Sequence, residues 1–191
     1  ISATSLLQPT RSIILAGRVN QEEVEPDMDS LVSPRIGTAI HESIEKVWSV
    51  PAFRKDAIMK LGYPEKVVDS MDVHVEERAK KQLDSYTIGG KYDLVINGNL
   101  FDFKTTSVYT WINGDREKDY QLQGSIYRWL NPELITSDCI TICFIFTGWN
   151  QKDAAFKDNY PPHRLMQKDI PLLSLVQTER WIRSKLNEIE K

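Results

Sequence analysis

GGKYDLVINGNLFDFKTTS, residues 89–107, decides how the whole chain reads. Two apolar, aromatic-rich runs flank Asn97-Gly98, the dipeptide that most strongly marks a two-residue hairpin, because both of its positions take positive φ. Each run nevertheless carries a carboxylate. Asp93 stands between Tyr92 and Leu94, and Asp102 between Phe101 and Phe103, with Lys104 following. Side chains alternate along a strand, so Asp102 and Lys104 share one face and the two phenylalanines the other. Pairing through the turn brings Asp93 near that face, with the register open by one residue. Two neighbouring carboxylates repel unless a proton or a cation lies between them. A hard divalent ion such as Mg2+ resolves the repulsion, since it takes oxygen ligands and retains waters. Lys104 would then orient a water or stabilise charge on a phosphate. By itself the pattern also fits an ordinary strand with solvent-facing charges.

Upstream of the hairpin the hydrophobic period is helical. Residues 4–16 read as a turn and short helix, and residues 21–30 (QEEVEPDMDS) as an acidic loop. Ser33-Pro34 reads as a helix start, with Ser33 as N-cap. The stripe Ile36, Ile40, Ile44, Val47 and Trp48 continues that helix, and another follows Pro51. From about residue 72 the period becomes strand-like, giving three or four strands in an antiparallel meander. A helix over 116–130 ends at Asn131-Pro132, CITICFIFT is a buried strand, HRLMQKDI another candidate strand, and residues 172–191 a last helix. The order predicts an α/β sandwich around a central mixed sheet flanked by helices. We read residues 1–191 as one domain: a helical part to about 62, a core over 63–170 and a C-terminal helix over 171–190.

The composition of the 191 residues, 41% hydrophobic and 27% charged, is that of an ordinary globular protein, and no apolar run approaches a membrane span. The net charge of −3 gives no global support to nucleic-acid binding, so any such site is local. Cys139 and Cys143, four apart on one strand, share a face and read as inert core thiols in a reducing, cytoplasmic setting. Two cysteines cannot build a four-cysteine zinc or iron–sulfur site.

The helices add matching residues. His41 and Glu45 lie four apart on one helix face after Gly37, and Gln123 and Tyr127 lie four apart on another helix. Each pair alone reads as packing or surface. Together GTAIHESIE (37–45), GKYD (90–93), DFK (102–104) and QGSIY (123–127) resemble, in order and spacing, the motifs of the PD-(D/E)XK nuclease superfamily. Within it they resemble the RecB-like exonucleases, phage-type members included, over roughly residues 34–147.

The resemblance implies a restriction-endonuclease-like core and metal-dependent cleavage of DNA phosphodiester bonds during DNA processing or recombination. It implies Mg2+ or Mn2+ held by Asp93, Asp102, the backbone carbonyl of Phe103 and His41. Glu45 would ligate a second metal or orient His41, and Lys104 would position or activate the attacking water. Gln123 and Tyr127 would hold DNA or brace the site. The substrate would be linear duplex or single-stranded ends, in the cytoplasm of a bacterium or phage-infected cell. A single-strand annealing protein, a helicase or further copies of the chain are the candidate partners. Arg35, Arg54, Lys55, Lys60, Lys91, Arg116 and Lys118 are candidate phosphate contacts, and Trp111 a candidate base-stacking residue.

Three rival readings compete with it. A zinc peptidase fails because HESIE has Glu45 where the second histidine is needed. A structure- or sequence-specific endonuclease, and a silent nuclease-fold binding or scaffold protein, remain alternatives.

Overall fold

Residues 1–18, 28–60 and 64–190 are described by a computed structural model of the chain. The hairpin forms as its turn chemistry demands. β4 (Leu94–Ile96) and β5 (Asn99–Thr106) pair antiparallel with Ile96 opposite Asn99 and Leu94 opposite Phe101. Asn97 and Gly98 both have positive φ, 48° and 78°. A side chain at Gly98 would also strike Thr136 Oγ1, 2.2 Å from where its Cβ would lie. Asp93 precedes β4 in a bend and bonds the Phe103 N–H, next to Asp102 on the facing strand.

β5 is the centre of a five-stranded sheet ordered β1-β4-β5-β6-β7, with β1 (Val73–Val75), β6 (Cys139–Phe146) and β7 (Leu165–Pro171). β5 and β6 run parallel and the other neighbours antiparallel, so the sheet is mixed. The parallel pair needs a crossover, supplied by α6 (Val108–Asn113) and α7 (Glu117–Leu130). β2 (Arg78–Leu83) and β3 (Tyr86–Lys91) form a separate two-stranded ribbon. The expected single meander is therefore divided. Its first stretch breaks at Glu76, whose φ of 55° ends β1 and turns the chain into the ribbon.

Helices cover both faces. α1 (Ala3–Leu6), α2 (Thr10–Ala16), α7 and α9 (Leu175–Ile189) form one layer, with α7 against β3, β6 and β7. On this side Ile140, Ile142, Phe144 and Phe146 are buried from alternate positions of β6, each worth about 1.5–3 kcal/mol relative to exposure. α9 opens with a capping box between Ser174 and Gln177. The other layer is α3 (Met28–Ser49), α4 (Pro51–Lys60) and α5 (Glu65–Asp69), with α3 on β1 and β5. α8 (Gln151–Phe156) follows β6. None of the described helices is long and apolar enough to cross a membrane.

Several expectations are corrected. α3 starts before Ser33-Pro34, and Pro34 lies inside the helix, where a missing N–H removes a single backbone bond. Of the acidic stretch, 21–27 lie outside the described residues, and 28–30 are helical. The α3 stripe is only half-buried and Ile36 is exposed. Cys139 and Cys143 share a face, as read, but it is the half-buried face of β6. Burial pushes the Cys143 thiol up to about 11, so it remains a protonated thiol at neutral pH.

α7 approaches the sheet at Gly124, where a Cβ would stand 2.8 Å from Leu172 Cδ2 and 3.0 Å from Ile140 Cβ. Gly124→Ala is expected to destabilise the protein by about 1–3 kcal/mol through overpacking. Urea unfolding measures this directly, and a stability equal to the parent's would show that α7 has room to shift.

Candidate active site

The hairpin delivers two carboxylates to one end of the sheet, and the flanking helices complete the surroundings. Asp93 sits at the bend between β3 and β4. Its Oδ2 accepts a hydrogen bond from Phe103 N–H at 2.9 Å, which locks the bend to the facing strand. From α3, His41 Nδ1 comes within 3.6 Å of the same oxygen. Glu76 arrives from the break between β1 and β2, held by its own N–H on the Asp93 carbonyl at 2.9 Å. His41, Glu76 and Asp93 each offer a ligand atom within 4.8 Å of the others.

Asp102 lies behind this group, 1% exposed, on the face covered by α7. Its Oδ1 accepts from Gln123 Nε2 at 3.1 Å, and Lys104 Nζ lies 2.6 Å from Oδ2. Oδ2 is buried, and the lysine ammonium makes a charge-assisted contact to it. Lys104 also donates to Gln123 Oε1 at 3.2 Å, and Gln123 Nε2 donates to the Tyr127 hydroxyl at 2.9 Å. The i, i+4 pair on α7 is thus a brace: Tyr127 fixes Gln123, and Gln123 fixes both Asp102 and Lys104 of the β5 motif.

The electrostatics follow from burial. Asp93 is pushed up to about 7, first by desolvation and then by the charge of Asp102, despite the opposing pull of the Phe103 N–H and Lys104. Burial alone would lower Lys104, but Asp102 and Asp93 outweigh it and raise the ammonium above its ordinary value. Burial raises the Tyr127 phenol. Glu76 and Asp102 each meet a lysine, Lys91 and Lys104, whereas Asp93 has no lysine of its own within ion-pair distance among the described residues.

Two clefts open onto these residues. One, of about 510 Å³, runs between α3 and the hairpin and is lined by His41, Glu45, Glu76, Lys91, Asp93 and Lys104 among others. The second, of about 770 Å³, lies towards α1 and α7 and is lined by Gln8, Arg116, Tyr120 and Gln123 among others. Lys104 and Thr105 line both.

The structure therefore brings His41, Asp93, Asp102, Lys104, Gln123 and Tyr127 into one connected region. Phe103 contributes its N–H to Asp93. Glu45 is half-buried on the cleft wall, outside the close group of His41, Glu76 and Asp93. Gly37 also lines the cleft, and a Cβ there would meet nothing within 4 Å. Glu76 was not legible in the sequence. It sits in VHVEER, an unremarkable acidic pair, and only its left-handed φ distinguishes it.

Trp111 does not stand free to stack on a base. Its ring packs edge-on against Phe144 and Phe146, with centroids 5.5 and 6.2 Å away. Of the candidate phosphate contacts, Lys55 and Lys60 are ion-paired with Glu65 and Asp56, while Lys91 and Arg116 line the two clefts.

The donor set suits a divalent ion. It is carboxylate oxygen plus one imidazole, two ligand types that divalent ions accept. His41, Glu76 and Asp93 are the residues that would hold it.

No protein-family model matches the chain, and no curated protein matches it in sequence. The structure is similar to the crystal structure of SSO0001, with a TM-score of 0.60 and 15% identity over 98% of this chain and 74% of that one. It is also similar to a phage-related exonuclease from Haemophilus somnus 129PT, with a TM-score of 0.53 and 13% identity over 95% and 79% of the two chains. What the chain shares with these structures is the fold: mixed α/β, with a central mixed sheet flanked by helices.

Proposed function

We propose that the protein is a divalent-metal-dependent DNA nuclease that works from the ends of linear DNA. One observation carries the reading: His41, Glu76 and Asp93 converge beside a buried Asp102–Lys104 pair braced by Gln123. The fold it shares with a structure named as a phage-related exonuclease supports it.

When bound, Mg2+ or Mn2+ would supply positive charge to the scissile phosphate and acidify a water ligand. The chain's own residues do the rest. His41, Glu76 and Asp93 would form the ligand set, and Asp102, the Phe103 carbonyl and Glu45 are its proposed extensions. Lys104 acts as a hydrogen-bond donor and fixed charge toward the attacking water and the phosphate. It is not the base, because Asp102 holds its ammonium protonated. Gln123 keeps Asp102 and Lys104 at a fixed separation and Tyr127 keeps Gln123 in place, so the charge array is preorganised rather than assembled at each turnover. This reading treats residues 1–191 as one nuclease domain. With a net charge of −3, it assigns part of the hold on DNA to the bound metal and part to a partner or further copies of the chain.

End-labelled linear duplex, single strands and closed circles, each with Mg2+, Mn2+ or EDTA, test the reading. Linear DNA is expected to be degraded and circles spared, with EDTA stopping the reaction. Cleavage of circles would establish an endonuclease. Metal binding without cleavage of any substrate would leave a DNA-binding protein on a nuclease fold.

A further inference from the structure

Glu76 is held in an uncommon way. A glutamate at φ 55° occupies the left-handed region that side chains rarely adopt, and such outliers persist where the surroundings over-determine them. Here the determining contact is the Glu76 N–H on the Asp93 carbonyl at 2.9 Å. The result is a carboxylate side chain only 12% exposed, pointed at His41 and Asp93. Its Oε2 is buried. Among the described residues its ion-pair partner is Lys91 Nζ, at the end of β3. Lys91 is the more exposed partner, 45% exposed on the cleft wall.

We infer that Lys91 is a resident counter-cation for Glu76, which a divalent ion must displace in order to load. The inference rests on the metal-dependent reading above and concerns the control of that site. In the metal-free protein an ammonium neutralises a buried carboxylate that would otherwise stand uncompensated beside Asp93. A divalent ion ligated by Glu76, His41 and Asp93 needs the same carboxylate, and two cations on one oxygen pair repel. Lys91 therefore weakens metal binding, and its flexible, solvent-reaching stem lets it leave when the ion arrives. Lys104 differs: it is 25% exposed, bonded to Gln123 and fixed to Asp102.

The test is calorimetric titration of Mg2+ and Mn2+ into the DNA-free protein. Lys91→Met, which keeps the apolar stem and removes the charge, is expected to tighten binding roughly tenfold or more. The same substitution in a Glu76→Gln background is expected to change nothing, because the carboxylate through which it acts is gone. Lys66→Met, on α5, removes an equal charge outside the cleft and is expected to have no effect. Unchanged or weaker binding in Lys91→Met overturns the inference. So does an equal gain from Lys66→Met, or a gain that survives in the Glu76→Gln background. Those outcomes leave the nuclease reading standing. Failure of the parent and of Lys91→Met to bind either ion would sink both.

Discussion

Asp93→Asn is expected to abolish metal-dependent cleavage while making the metal-free protein more stable at neutral and alkaline pH. The two effects share one cause. Folding raises the Asp93 carboxyl to about 7 from an ordinary value of 3.8, because burial and Asp102 disfavour its charge. Below about pH 4 the residue is protonated both folded and unfolded, and it costs nothing. Between about 4 and 7 the unfolded chain gives up the proton and the folded chain keeps it, so stability falls as pH rises. Above about 7 the folded form is ionised too and the penalty is complete, of order a few kcal/mol. Asparagine escapes that penalty and still accepts from the Phe103 N–H through its side-chain oxygen. The stability gain of the variant should therefore grow from pH 4 to 7 and then level off, as measured by denaturant unfolding in EDTA. Mg2+ should stabilise the parent and not the variant, and cleavage should fall by about 10³-fold or more. A variant less stable than the parent at pH 8 in EDTA would mean that Asp93 is not under electrostatic strain. Because a proton competes with the ion, metal affinity in the parent should also weaken by up to about tenfold for each pH unit below 7.

Lys104→Met should show the opposite stability pattern. It leaves Asp102, 1% exposed, with Gln123 but no cation. Removing one partner of a buried pair typically costs about 3–5 kcal/mol, and the partial exposure of Lys104 places the expected loss near the lower end. A divalent ion nearby replaces part of the missing charge, so Mg2+ should recover more stability in this variant than in the parent. Cleavage should fall roughly 10²–10³-fold, the usual loss when a preorganised donor is removed from a charged transition state, while calorimetry still detects metal. Loss of metal binding together with cleavage would recast Lys104 as a structural support of the ligands. Full activity in the variant would remove it from the chemistry.

Local signals in the sequence reached a long way here, because they are periodic or stereochemical. Asn97-Gly98 specified the turn, and the turn specified the pairing that brings Asp93 beside the strand carrying Asp102. Alternation along β5 separated Asp102 and Lys104 from the two phenylalanines. The four-residue spacing on α7 put Gln123 and Tyr127 on one face, and the two hydrogen-bond to each other. The element order gave a mixed sheet between helices.

What stayed hidden depended on partners remote in the chain. No local pattern marks Glu76 as different from Glu77. It is drawn to Asp93 by a backbone bond across the sheet and by a left-handed turn that two packed strands impose. Trp111 reads as a loop aromatic, yet its ring is taken up by Phe144 and Phe146 of β6. Gly37 belongs to a recognisable motif but meets only open space. The sequence alone determined the hairpin, its two acids, its lysine and the bracing helix, because turn stereochemistry and side-chain period act over a few residues. Tertiary structure decided which acids crowd together, which cation neutralises each and how far their pKa values move, because burial and Coulomb interactions depend on distances that the chain sets only when it folds.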